Sequence, residues 1–415
     1  MKLVKTSLLS SISTIVQILS AFIANKILAI YIGPSGMALT GNLQNFIQIT
    51  LKFSNASVTT GVTKNIAEFY DNEEVRKKII STAFTISICF SLFFSFILFR
   101  FKESLSIYFL HNIDYANVFC VFSITLIFFS LNSLFIAILN GFKEIKKYVI
   151  VTILSSITGL LLTVLLSIYL SINGALLSLV LSQTVVSFLT FFFIYKSPWF
   201  KMDYFFAGID KASVVKLTKF SFMTLTAALT TPVSQMFIRT YAGNHLSWNQ
   251  AGYWQCVTKV SDLYIMLLTT SLTVYFLPRF SEIKNSIDLR KEILTGYKII
   301  IPIAVIIASV IFLFKKTIIL ALFSSDFLKM EDLFLFQMIG SVFQISSWVL
   351  GTLMVAKAMV KWHFISQVFF SLLFVLLAIF FMHLYGIRGV TIAYAINYTL
   401  HLIFMLFVFR KTLWN

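Results

Sequence analysis

The sequence predicts an all-α integral membrane protein, with about twelve transmembrane helices arranged as two six-helix lobes around a central cleft. Three observations carry this expectation. The 415 residues are 59% hydrophobic and only 12% charged, too little polar surface for a soluble core of that length. Apolar runs of about twenty residues recur from one end of the chain to the other. The second half then repeats features of the first at a slowly drifting offset.

The expected spans of the first lobe are Ser7–Tyr31, Ala38–Val58, Ile79–Phe99, Ala116–Leu139, Tyr148–Ser171 and Gly174–Tyr195. Those of the second are Leu217–Tyr241, Asn249–Phe276, Ile293–Phe314, Leu333–Ala356, His363–Tyr385 and Val390–Phe409. Each is expected to be helical, because lipid offers backbone groups no partner outside their own segment. The first run follows Lys2 and Lys5 but is too long for a signal-peptide core and lacks a cleavage site, so it is expected to stay attached.

The formal charge of +17 raises the question of a nucleic-acid partner. The distribution argues against one, since the basic residues lie in short loops rather than on a soluble basic face. Lys143, Lys146 and Lys147 crowd one loop and Lys201, Lys211, Lys216 and Lys219 another, whereas the turn IGPSG has none. By the positive-inside rule both termini are cytoplasmic. Cys89, Cys120 and Cys256 sit in apolar runs without CxxC spacing, which excludes a disulfide framework or a zinc site. No phosphate-binding loop, HExxH or GxSxG occurs, so no enzyme, cofactor or metal is expected.

The longest polar connection, residues 196–216, divides the chain into an N-terminal lobe, 1–200, and a C-terminal lobe, 201–415, that includes this linker. Tyr31-Ile32-Gly33 corresponds to Tyr241-Ala242-Gly243 at an offset of 210, and Ile172 with Gly174 to Ile387 with Gly389 at 215. Two parallel repeats about an axis along the membrane normal are the expected arrangement.

Charges inside the spans are confined to Lys26, Lys52, Arg239, Lys259 and Asp262, apart from Lys219 and Lys298 near inner ends. They fall on the first two helices of each repeat, which are expected to face one another across the cleft. Lys259 and Asp262 are three residues apart, so they could simply neutralise each other, while Lys26 and Arg239 could snorkel to an interface. The alternative is a wet anion site in which Lys26, Lys52, Arg239 and Lys259 bind a diphosphate, and Asp262 positions Lys259 or exchanges a proton or cation. Asn25, Asn42, Gln44, Asn45, Gln48, Gln235, Tyr253, Trp254 and Gln255 are candidate glycan contacts, although membrane helices use the same amides for packing. His401, alone in span twelve, reads as a packed polar residue.

The stretches NKILAIYIGPSG, GVTKNIAEFYDN, SDLYIMLLTTSLTVYFLPRFSE and EDLFLFQMIG, the last followed by VAKAMVKWHF, carry a resemblance. Across its whole length the chain resembles Wzx-type flippases of the polysaccharide-transport family in the MOP exporter superfamily, especially the enterobacterial O-antigen and common-antigen flippases. The resemblance implies two lobes, with helices one, two, seven and eight lining the cleft. It implies alternating access that moves an undecaprenyl-diphosphate-linked O-antigen oligosaccharide across the bacterial inner membrane, from cytoplasmic to periplasmic leaflet. Downstream polymerase or ligase machinery would take the product. The family's basic cavity maps onto Lys26, Lys52, Arg239 and Lys259. One rival is a cation-coupled drug or metabolite antiporter of the same superfamily, which calls for acidic residues that the first seven spans lack. Another is a membrane polymerase or ligase, which calls for a large external loop; the longest here are Arg100–Tyr115 and Lys315–Asp332.

Overall fold

The computed structural model describes residues 2–414 apart from residue 198, with side chains described except at 2–11, 216, 218–224, 226, 227, 271 and 274. The side chains of Lys2, Lys5, Lys216 and Lys219, counted above, lie outside these residues. The described chain is helical, and no strand occurs in it. In order the helices are α1 (Lys2–Ser54), α2 (Thr59–Glu68), α3 (Glu73–Arg100), α4 (Lys102–Leu105), α5 (Ala116–Gly141), α6 (Ile145–Tyr195) and α7 (Lys211–His245). They continue with α8 (Trp248–Glu282), α9 (Ser286–Leu313), α10 (Lys315–Leu322), α11 (Phe334–Ala356), α12 (Val360–Tyr385), α13 (Arg388–Val408) and α14 (Arg410–Trp414).

Among the described residues, eight helices are long and apolar enough to cross a membrane, or nine if the bent α8 is one span. Two of the eight are themselves interrupted. In α1 the break is at Gly33 (φ 62°, ψ −171°), a conformation glycine reaches without a Cβ clash, and in α6 it is at Ser171 (φ 51°, ψ −129°). These are the places where expected spans one and two, and five and six, meet. Apolar side chains such as Phe96, Leu165, Leu313 and Leu376 stand exposed on their helices, as lipid-facing residues do. This is a multi-pass membrane protein.

Contacts group the chain into two compact units. One comprises residues 1–32 and 39–232, the other 33–38 and 233–415. The linker, expected with the second lobe, packs on the first unit for a clear reason. Tyr204 and Phe205 bury into a core made by Val62, Ile66, Ile80, Leu134 and Ile138, with Trp199 and Phe200 packed against it. Trp199 stacks on Phe142 at 4.1 Å and donates its indole N–H to Glu144, which also pairs with Lys147 at 2.7 Å. Ser81 Oγ donates to the Gly208 carbonyl at 2.9 Å, and Lys201 pairs with Glu73 at 2.6 Å.

Within α1 the second arm begins at Pro34, earlier than the expected Ala38, so Lys52 lies about 27 Å along it, in its last turn. There the cation also faces the negative end of the helix dipole. The backbone then breaks at Ala56 (φ 46°) and Ser57 (φ 53°), and Ser57 N–H caps the Lys52 carbonyl at 2.9 Å before α2 begins.

The repeat recurs in backbone detail. Lys143 (φ 57°) and Ala358 (φ 52°) are 215 residues apart, and each ends a span with the same sequence of turn hydrogen bonds. Ser171 and Gly386 (φ 58°) form a second pair at 215. Three residues on, a Cβ built at Gly174 would lie 1.8 Å from the Leu166 carbonyl oxygen, and one at Gly389 2.1 Å from that of Phe381. Both tight turns therefore demand glycine at the same place.

Candidate functional site

In the second unit, α7 and α8 bring together the charges that the sequence singles out there. Arg239, in the expected span seven, is 1% exposed, and a guanidinium buried so deeply requires neutral dipoles or an anion nearby. Its guanidinium donates to Gln255 Oε1 and lies over the Trp254 ring, 5.7 Å from the ring centroid. Asp262 is exposed on α8, and its carboxylate interacts electrostatically with Arg239. Lys259 is half-buried and lies within electrostatic reach of both Arg239 and Cys256.

The local neutralisation that the three-residue spacing allows is not formed. Among the described residues no ion pair joins Lys259 to Asp262; the cation that acts electrostatically on the carboxylate is Arg239 of α7. Trp254 (2% exposed) and Gln255 (7%) are consumed in supporting Arg239. Tyr253 is half-buried with its ring edge-on to Phe327, and Gln235 is half-buried on α7.

In the first unit, Asn25 and Lys26 are half-buried on the first arm of α1. Asn42 is fully buried and donates to the Phe109 carbonyl at 3.1 Å; Asn45 donates to the Pro232 carbonyl at 3.3 Å. These two amides tie helices together, which is the packing alternative noted from the sequence. Gln44 is half-buried, Gln48 exposed and Lys52 half-buried. Gln44, Gln48 and Lys52 recur at four-residue steps, so they share one face of the arm.

Sequence reasoning missed a string of polar groups inside the second unit. Tyr394, Asn397, Tyr398 and His401 recur at helical spacing on α13, and Gln337 and Gln344 at seven residues on α11. Tyr394 Oη donates to Gln344 Oε1, and Gln337 Nε2 donates to Ser261 Oγ at 2.8 Å. His401 Nδ1 and Ser347 Oγ share a hydrogen bond of 3.0 Å. Tyr394 and Tyr398 both interact electrostatically with Asp262. The spacing was the available signal: a polar stripe at i, i+3, i+4 and i+7 in an otherwise apolar span.

Residues 43–332 match the family described as "polysaccharide biosynthesis protein". Two curated relatives, the lipid III flippases of Escherichia coli (strain K12) and Shigella flexneri, are each 27% identical over 401 residues, 97% of this chain and 96% of theirs. Among solved structures, an inward-facing multidrug resistance MATE transporter of the MOP superfamily superposes with a TM-score of 0.83 at 15% identity, covering 96% of this chain and 98% of its own. The lipid II flippase MurJ, in an inward closed conformation, gives 0.74 at 18% identity, over 99% of this chain and 89% of its own. At these identities the structural likeness speaks to fold: this is the architecture of MOP-superfamily transporters.

Proposed function

Taking as premise that the chain belongs to the polysaccharide biosynthesis protein family, we propose that it is a flippase for undecaprenyl-diphosphate-linked oligosaccharide. It moves O-antigen units from the cytoplasmic to the periplasmic leaflet of the bacterial inner membrane by alternating access of two lobes, with both termini cytoplasmic. It is a transporter rather than a catalyst, and its product passes to polymerase or ligase machinery. The names of the two curated relatives support the substrate class.

The observation that carries the reading is the Arg239–Lys259 pair inside the membrane-spanning region, set against the single carboxylate of Asp262. Two cations and one anion leave a net positive charge, which suits a diphosphate and repels a cationic drug. Lys26 and Lys52 supply further positive charge on the first unit. Asn25, Gln44, Gln48, Gln235 and Tyr253 keep accessible surface and contact the glycan, whereas Asn42, Asn45, Trp254 and Gln255 hold the scaffold. Asp262 is the coupling group: it offsets Arg239 while the site is empty and yields that cation to the diphosphate when substrate enters.

The test is translocation of lipid-linked oligosaccharide in a flippase-null cell at matched protein levels. Lys259→Gln and Lys52→Gln are expected to lower it by about tenfold, the loss of roughly 1.4 kcal/mol of binding, whereas Lys298→Gln stays within about twofold. A wild-type chain that moves no lipid-linked oligosaccharide but exports a cationic dye would replace this reading with the antiporter.

A further inference from the structure

The polar string in the second unit has a direction. It starts at Asp262 on α8, passes Tyr398 on α13, whose hydroxyl interacts electrostatically with that carboxylate, and reaches His401, whose ring centroid is 6.1 Å from that of Tyr398. His401 in turn lies within electrostatic reach of His363, near the first turn of α12. That end of α12 carries Lys361 and is the proposed cytoplasmic face.

Two further observations make the string more than packing. First, the fold does not need it. At the offset of 215 residues, the first repeat has Thr82, Phe122, Phe129, Leu179, Gln183 and Val186 where the second has Tyr297, Gln337, Gln344, Tyr394, Tyr398 and His401. The same helices assemble in the first unit with mostly apolar side chains there; the polar ties at these positions run from Asn132 Nδ2 to Gln183 Oε1 at 2.8 Å, from the Thr190 hydroxyl to Asn132 Oδ1 at 2.7 Å and from the Asp210 backbone N–H to Thr82 Oγ1 at 3.0 Å, and none uses a titratable side chain. Second, the string contains buried polar atoms left without a hydrogen bond: His363 Nδ1, Asn397 Oδ1 and Gln337 Oε1. Each costs free energy unless water or a moving proton uses it.

We propose that His401, with Tyr398 and His363, forms a proton path linking Asp262 to the cytoplasmic end of α12. The inference rests on Asp262 as the coupling group of the proposed transport cycle. A proton leaves the Asp262 carboxyl for Tyr398 Oη, directly or through one water, while the Tyr398 hydroxyl proton passes to the His401 nitrogen that does not bond Ser347. The transient imidazolium gives up one proton through water to His363, which releases it to the cytoplasm. One proton leaves the carboxyl, one is released, and Tyr398, His401 and His363 return to their starting states. The titratable groups around His401 are few among the described residues. They are His363 on α12, Tyr394 and Tyr398 on α13, Asp262 and Tyr264 on α8, and Tyr297 on α9, which donates to the Ser346 carbonyl. The face of α11 offers only neutral Gln337, Gln344, Ser346 and Ser347, and Arg410 and Lys411 of α14 lie at the helix end.

The experiment reconstitutes full-length protein in liposomes loaded with a pH-sensitive dye, with a fluorescent polyprenyl-diphosphate trisaccharide as probe. Probe movement is measured under an imposed pH gradient and, separately, as gradient-free exchange. In His401→Gln the gradient-driven component is expected to fall at least about tenfold, with dye-reported proton flux, while exchange stays within about twofold. Tyr398→Phe, which keeps the ring and removes only the hydroxyl, is expected to show the same selective loss. Gradient-driven movement and proton flux that survive in both variants overturn the path and leave the role of Asp262 standing. If the wild type is indifferent to the gradient and Asp262→Asn matches it, the coupling role itself fails and the path with it. If His401→Gln loses both components, Tyr398→Phe decides: a loss confined to the driven component supports the path, and an equal loss of both assigns these residues to packing.

Discussion

Arg239 is the largest buried charged side chain among the described residues: a guanidinium 1% exposed on α7, supported by Gln255, Trp254 and the field of Asp262. Gln255→Leu removes the neutral acceptor while keeping the volume. It is expected to cost about 1.5–3 kcal/mol, the worth of a hydrogen bond to a charged group, read as a lower melting temperature of the purified protein in detergent. Trp254→Leu removes the aromatic face and costs about 0.5–2 kcal/mol beyond the lost area. If neither change moves the melting temperature, Arg239 is held by something other than these two side chains. At this scale the charges were legible, because a Lys, Arg or Asp in a long apolar run stands out. Their partners were not. The charge that acts on Asp262 is Arg239, 23 residues earlier on another helix, rather than Lys259 one turn away. Asn42 and Asn45 spend their amides on carbonyls 67 and 187 residues distant.

Helix ends carry the strain of the fold. Lys143 and Ala358 occupy the left-handed region, where an L side chain costs roughly 1–2 kcal/mol; glycine removes that cost but loses about 0.5–1 kcal/mol of chain entropy. Lys143→Gly and Ala358→Gly are therefore each expected to stabilise by about 0.5–1 kcal/mol, visible as a small rise in melting temperature. Gly389→Ala pushes the other way, since its Cβ would meet the Phe381 carbonyl oxygen at 2.1 Å, far inside van der Waals contact. Its expected cost is about 2 kcal/mol or more, measured in the same melt, with Gly174→Ala behaving alike. Helix positions were readable from hydropathy alone, and the breaks at Gly33 and Ser171 fall where apolar runs were expected to end. Span two was expected to end at Val58 and the helix stops at Ser54: Asn55, Ala56, Ser57 and Val58 include no glycine or proline to mark the turn, which is fixed by the Lys52 carbonyl and the Asn55 side chain.

For the molecule as a whole, reporter fusions that are active only in the cytoplasm should be active at both termini, and a fusion in the turn that follows Ile32 should be silent. A silent C-terminal fusion would reverse the orientation on which the direction of transport and of the proton path depends. Composition, the spacing of apolar runs and the placement of basic loops determined by themselves that this is a multi-pass helical membrane protein with a repeated plan, since burial in lipid constrains every residue of a span locally. The resemblance in its motifs pointed to the family that the match over residues 43–332 then established. What only tertiary structure decided is which buried polar groups meet: the support of Arg239 by Gln255, the packing of the linker on the first unit, and the string from Asp262 to His363. Hydropathy records how much a side chain costs to bury, but the partner that offsets the cost is chosen by helix packing, between residues tens to hundreds of positions apart.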